Sequence, residues 1–454
     1  MTTIAFVLGV LFMATGVAAS IALHEVGHLV PAKRFGVRVT QYMVGFGPTM
    51  WSRRRGETEY GVKAIPLGGY IRMIGMFPPR QGDDPGTVRV SSTGRFSQLV
   101  DEARAASLEE VRPGDEHRVF YRLSVPKKVV VMLGGPTMNL LIGVVLLPLL
   151  VTVHGVATAQ PGAVVASVSQ CVVPVTEVGE ATSCTNQPET PAKSAGILPN
   201  DQILSIDGQP VDDTLDVGTL IRPRVGQPTD IVLERDGQQV TVTATPIRNV
   251  VPVLDEAGVP VADADGTVRT TEAGFLGVRS APPVEYVPQS VTAVPGIIWG
   301  FVSGTAEALV HVPERMVGVW NAAFGGAERE VDSPMSVVGV GRVAGEASGG
   351  KYDSLVGESV GDKLWFLVGL LAALNFMLFV FNLIPLLPLD GGHVAGALWE
   401  GLKRQIARLR GRPDPGYVDV AKALPIAYTV SMVLLGASLL LIYADVVKPV
   451  NLGG

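Results

Sequence analysis

Charge is scarce in this chain. Charged residues make up 17% of its 454 positions and hydrophobic residues 47%, where a soluble domain carries about 25% charged residues. That deficit points to membrane spans. Cysteine is nearly missing, with only Cys171 and Cys184 present. Two thiolates are too few for a cysteine-built zinc site. They lie in a polar stretch, as two unpaired thiols or, if that stretch is outside the cytoplasm, as a disulfide closing a small loop. A basic excess is missing as well. The net charge is −6, which leaves no electrostatic footprint for nucleic acid. No long internal repeat or low-complexity tract occurs.

What is present is a set of long apolar runs. A transmembrane helix needs about 20 consecutive apolar residues. Four uncharged stretches qualify: Thr2–Leu23, Val129–Val153, Leu364–Leu389 and Ala423–Ala444. The first lacks the basic start of a signal peptide and ends in ionisable residues instead of a cleavage site. A fifth stretch, Tyr286–Ala306, contains Pro288, Pro295 and Gln289 and reads as an amphipathic helix on the membrane or against other spans. Lys and Arg number 17 in residues 31–128, six in 401–422 and 12 in the 210 residues 154–363. Cytoplasmic loops carry the excess of these residues. The first two segments are therefore expected inside, and the third and both termini outside.

The expected organisation follows. Residues 1–33 are the first span, 34–125 a cytoplasmic, membrane-associated β-hairpin region with a polar loop, and 126–154 the second span. Residues 155–280 are a separate soluble domain and 281–363 an amphipathic linker region. Residues 364–392 are the third span, 393–422 a basic cytoplasmic loop, 423–447 the fourth span and 448–454 an outer tail. Apolar–polar alternation broken by Gly and Pro predicts small hairpins over 34–76. A short helix is expected near Phe96–Glu110. Asp207-Gly208 and Asp236-Gly237 are hairpin turn signals within the soluble domain. Residues 252–273 read as an acidic surface insertion.

Chemistry concentrates at His24-Glu25-Val26-Gly27-His28. On a helix, residues four apart share a face, about 6 Å apart along the axis. Two imidazoles there can hold one Zn²⁺, and Glu25 can act as general base on the activated water. Three ionisable residues at the end of an apolar run are costly to keep without a function. A catalytic zinc takes three protein ligands and leaves one position open. Asp390 is the best third donor. It ends an uncharged span loosened by Pro385 and Pro388, and Gly391 and Gly392 follow it. With four spans, the first and third run in the same direction, so Asp390 reaches the level of His24 and His28. His393 is placed near the site but not as a ligand.

These features together resemble the site-two protease family of intramembrane zinc metalloproteases, in its bacterial RseP-like branch with a PDZ domain. The resemblance rests on His24-Glu25-x-x-His28, Gly45-Phe46-Gly47-Pro48, Ile65-Pro66-Leu67-Gly68-Gly69-Tyr70, Gly135-Pro136-Thr137-Met138-Asn139 and Asn382…Leu389-Asp390-Gly391. The 191–211 run resembles a PDZ domain of bacterial membrane proteases.

The implied fold is a polytopic α-helical membrane protein with four transmembrane helices, a membrane-associated β-hairpin region and an extracytoplasmic α+β PDZ-like domain. The implied cofactor is Zn²⁺ on His24, His28 and Asp390, with Glu25 as catalytic base. Asn382 is implied to contact the substrate backbone and Asn139 to support the site. The 59–72 region, with Gly68, Gly69 and Tyr70, is implied to offer a strand edge to an unwound substrate helix. The implied substrates are single-span membrane proteins in the bilayer of a bacterial plasma membrane, such as anti-sigma factors and remnant signal peptides. The PDZ-like domain is implied to bind peptide or to exclude bulky ectodomains. The family often carries two PDZ modules, and only one is legible in this sequence.

Overall fold

The computed structural model describes residues 3–79, 107, 111–172, 187–253, 261, 269–327, 329–357 and 359–452. Apart from Ser107, the helix expected near 96–110 lies outside the described residues, as do Cys184 and most of the 252–273 insertion. The chain divides into two compact units, Met1–Val153 with Gln289–Gly454, and His154–Pro288.

In the first unit four helices are long and apolar enough to cross a membrane. They are α1 (Thr3–Arg34), α2 (Val125–Leu149, continued by one wide turn over Leu150–His154), α6 (Val360–Asn382) and α8 (Leu424–Val447). Between them lie α3 (Val294–Val310), α4 (Val312–Phe324), α5 (Val337–Ser348) and α7 (Asp390–Leu409). The chain is a multi-pass membrane protein.

In lipid, apolar burial gives helices little reason to associate, so small residues and interhelical hydrogen bonds decide where they touch. Gly27 of α1 and Gly134 of α2 meet backbone to backbone. A methyl group on either would strike the other's carbonyl oxygen. Gly143 of α2 admits the Phe376 ring of α6, whose atoms would lie 2.9–3.1 Å from an added Cβ. Asn375 of α6 donates to Ser20 Oγ of α1 at 3.0 Å, and Ser20 donates onward to the Gly16 carbonyl at 3.0 Å. These contacts fix α1, α2 and α6 around one another.

Three expectations about the helices of this unit are corrected. The apolar run 364–389 is not one helix. Proline lacks an N–H and clashes with the preceding turn, so with Pro385 and Pro388 ahead α6 stops at Asn382. Residues 383–389 turn back, and Asp390 opens α7. A Cβ on Gly391 would lie 2.5 Å from the Leu383 carbonyl oxygen, and one on Gly392 would lie 2.5 Å from the Leu387 nitrogen. Only glycine lets the turn close this tightly. The basic segment expected as a loop over 393–422 is helical as far as Leu409. Its buried Glu400 accepts from Lys128 of α2 at 2.9 and 3.0 Å. The amphipathic helix expected over 286–306 begins instead at Val294, because Val284–Val287 is a strand. Its Val294, Ile297, Ile298 and Val302 pack on Leu147, Val151, Ala372 and Phe376 of the α2–α6 region.

The small hairpins expected over 34–76 are one folded ribbon of two long strands, β1 (Val39–Arg55) and β2 (Thr58–Met73). Residues 41–44 pair with 69–72 on one side and with 59–62 on the other, and 59–62 pair with 51–54. The result is four rows in the order 69–72, 41–44, 59–62, 51–54. Gly45 and Gly47 (φ +92° and +85°) turn β1 back on itself, and Gly68 (φ +99°) bends β2. Tyr42 Oη ties the sheet to the Ala22 carbonyl of α1 at 2.8 Å. At the ribbon's tip Arg118 donates to Glu57 at 2.8 and 2.5 Å. Those hydrogen bonds hold the Glu57 carboxyl below the usual glutamate range.

The second unit is built on a sheet in the order β11-β4-β5-β7-β8, with β6 against β5. The strands are β4 (Ala163–Val168), β5 (Gln202–Ile206), β6 (Gln209–Pro210), β7 (Thr229–Arg235), β8 (Gln238–Ala244) and β11 (Val278–Ala281). Alternate residues Ile203, Ile231, Leu233 and Val165 are fully buried, and the helix Thr214–Ile221 adds Val217 and Ile221 to that core. Asp207-Gly208 and Asp236-Gly237 both have positive φ, as two-residue hairpin turns require. The pair β3 (Val156–Ala159) and β12 (Val284–Val287) joins the two ends of the unit, so it closes beyond the expected limit at 280. β9 (Ile247–Pro252) pairs with β10 (Thr270–Phe275). Cys171 is not a free thiol.

Candidate metal centre

α1 presents His24 and His28 one turn apart, on the side that meets α2. His28 Nδ1 lies 2.8 Å from the Val131 carbonyl of α2. A carbonyl only accepts, so Nδ1 carries the proton and the Nε2 lone pair points the other way. Asn139 lies against His24 Nδ1, with its Nδ2 at 3.2 Å, while its Oδ1 is buried without a partner. Turning the amide over, which keeps the side-chain shape, gives Oδ1 the Nδ1–H and frees the second Nε2. Gly135 makes room for both rings. Its Cβ, were there one, would sit 2.6 Å from His24 Nε2 and closer still to His28 Nε2.

The turn before α7 brings Asp390 to the same point. Asp390 Oδ2 is 3.3 Å from each Nε2, and the two Nε2 atoms are 3.2 Å apart. Oδ2 is buried and makes no hydrogen bond. With both imidazoles neutral and oriented as above, three lone pairs confront one another, an arrangement that suits a shared cation. Tetrahedral zinc with bonds of about 2.0–2.1 Å separates its ligand atoms by roughly 3.3–3.4 Å. The triangle of 3.2, 3.3 and 3.3 Å fits that requirement. Among the described residues, His24, His28 and Asp390 are the group of metal-binding character.

Glu25 lies beside this triangle, 8% exposed. Its carboxyl faces the Ile71 backbone. A Cβ on Gly69 would come within 2.9 Å of its Cγ. Among the described residues the row 69–72 is an edge of the sheet, and that outermost row runs along Glu25. The remaining sequence candidates sit as follows. Tyr70 stacks on Phe46 with ring centroids 6.2 Å apart. Gly68 lies against the Phe46 ring. Asn382 donates to the Leu378 carbonyl of its own helix at 3.0 Å and is not drawn into the triangle. His393 is outside the metal-binding group.

Sequence reasoning quoted Gly135 but missed its role as the space for both imidazoles, and it missed Val131 and Lys128–Glu400 altogether. Gly135 left a faint signal in its place one helical turn before Asn139. A backbone carbonyl and a buried pair from distant segments left none.

A two-histidine, one-carboxylate centre with a neighbouring glutamate, held among membrane helices, defines a membrane metallopeptidase. The chain belongs to Peptidase family M50, whose sequence model matches residues 12–422. It is 34% identical over 456 residues to "Zinc metalloprotease Rip1" of Mycolicibacterium smegmatis, covering 98% of this chain and 99% of that one. It is 33% identical over 451 residues to the Mycobacterium tuberculosis protein of the same name, with the same coverage. "Metalloprotease MmpA" of Caulobacter vibrioides is 25% identical over 402 residues, covering 86% of this chain and 85% of that one.

Proposed function

We propose that this chain is a zinc metalloprotease that hydrolyses peptide bonds within the transmembrane segments of single-span membrane proteins. The observation that carries the proposal is the His24–His28–Asp390 triangle, set among membrane helices with Glu25 beside it. Zinc, when bound there, supplies a Lewis acid that activates water and polarises the scissile carbonyl. His24, His28 and Asp390 hold it; Val131 and Asn139 orient the two imidazoles. The Glu25 carboxylate takes a proton from water and delivers it to the leaving amine.

A helical substrate must unwind before its carbonyls are accessible. The open edge at Gly69–Ile71 runs along Glu25 and offers backbone pairing to an extended segment, which satisfies the groups freed by unwinding. Gly68, Gly69 and Tyr70 belong to this edge. Asn382, one turn from its present partner, serves to hold the substrate backbone once the substrate is in place. The His154–Pro288 unit acts as the PDZ-like domain. It binds peptide or keeps out bulky ectodomains, and Cys171 pairs with Cys184 in it. The substrates are anti-sigma factors and remnant signal peptides in regulated intramembrane proteolysis, at a bacterial plasma membrane with both termini outside.

The test is co-expression with tagged single-span stubs in cells lacking their own such protease, comparing the parent chain with Glu25→Gln. The expected result is cleavage by the parent only, with zinc retained in both. Equal cleavage by the two would remove Glu25 as base. Intact stubs with both proteins, folded and zinc-loaded, would favour a scaffold over an enzyme.

A further inference from the structure

α7 has a face that none of the described residues of its unit covers. Ala397, Glu400 and Ala407 are buried. On the opposite side Leu398, Trp399, Leu402, Ile406 and Leu409 are 57, 54, 46, 38 and 81% exposed. At about 100° per residue, these five fall within a sector of roughly 100°, turned away from the buried line by about 160°. The helix also carries Glu400, Lys403, Arg404 and Arg408, too many charges for a span. It starts a short turn after α6, which is a span, so it stays near the level where that span leaves the membrane. A helix with such a stripe and a charged remainder lies in the plane of a lipid interface.

The charges select the kind of lipid. Lys403 flanks the stripe on one side and Arg408 on the other, and Arg410 and Arg412 follow the last turn. Arg408, Arg410 and Arg412 are exposed, and among the described residues no carboxylate pairs with any of these four cations. Glu400 faces inward to Lys128, so it does not offset them.

We propose that α7 is an interfacial helix. Its apolar stripe rests at the acyl boundary, and Lys403, Arg408, Arg410 and Arg412 bind the phosphate groups of anionic lipid. This does not depend on the reading of the metal centre as a protease.

The test uses the full chain carrying a nitroxide at Leu402→Cys, or at Leu398→Cys if the first folds poorly. It is reconstituted in vesicles of phosphatidylcholine alone or mixed with phosphatidylglycerol. The label's collisions with oxygen and with a water-soluble nickel chelate report its depth. With phosphatidylglycerol the label should be shielded from nickel several-fold better than in phosphatidylcholine alone. High salt, or Gln at all four cations, should abolish that difference. A label open to nickel in both lipids would overturn the proposal. So would one shielded from both reagents, which would mean a protein partner or a second copy. Equal shielding in both lipids, unchanged in the Gln variant, would refute the anionic preference.

Discussion

Gly135→Ala tests the metal centre without touching a ligand. The added methyl would sit 2.6 Å from His24 Nε2 and 2.7 Å from His24 Cε1, and nearer still to His28 Nε2. Ordinary contact between such atoms needs about 3.5 Å, so the rings must retreat by roughly 0.8 Å or more. Metal–ligand distances tolerate only about 0.2 Å. A shift of about 1 Å at a catalytic group costs around 10²-fold in rate. The helix interior has no other room, so overpacking should also remove about 1–3 kcal/mol of stability. The expected outcome is a folded protein that loses zinc to a chelator far faster than the parent, with at least a 10²-fold drop in stub cleavage. Gly436→Ala is the control, because nothing lies within 4 Å of its Cβ position. Zinc is read by elemental analysis after dialysis and folding by thermal melting. A Gly135→Ala protein with full zinc and a rate within a few-fold of the parent would refute the packing argument.

Further outcomes follow from other contacts. Asn139→Ala removes the group that orients His24 and should weaken zinc binding by about 10–100-fold, measured by competition with a chelator. Lys128→Met takes one of two cations from buried Glu400, which keeps Arg404 at 3.2 Å and the Val418 amide at 3.1 Å, so the expected cost is about 1–3 kcal/mol. Adding Glu400→Leu should recover much of that, and thermal melting of both variants decides it. Glu57 is held below the usual glutamate range in the folded chain, so its contribution to stability is present above the unfolded pKa and fades as pH falls through the lower folded value. Glu57→Gln should flatten that acid limb, and an unchanged melting profile below about pH 4.5 would show that Arg118 contributes nothing through it.

Much of the centre was legible because its elements are local. The spacing of His24 and His28 follows from the helix repeat, and Asp390 stood out as a carboxylate after an uncharged run. The parity of four spans placed both at one level. The course of the chain around Asp390 was harder to read. An apolar run looks alike whether it is one helix or a helix and a turn, and only the two prolines hinted at the break. The ribbon 39–73 was read as small hairpins because period-two alternation carries no information on which rows pair. The supports of the site, Val131, Gly135 and the Asn375–Ser20 link, join residues far apart in sequence. No local pattern encodes them.

The donors of the triangle lie far apart in the polypeptide. His24, Glu25 and His28 enter the membrane with α1, and Asp390 arrives only after α6 has been inserted and the chain has turned. A nascent chain therefore carries Glu25 and two imidazoles without a complete triangle until that point. On the proposed function, competence for proteolysis comes only with completion of the third span, so a chain still being inserted would leave its neighbours in the bilayer uncut. A chain ended at Asn382 should accordingly release zinc readily while keeping α1, α2 and the ribbon in place.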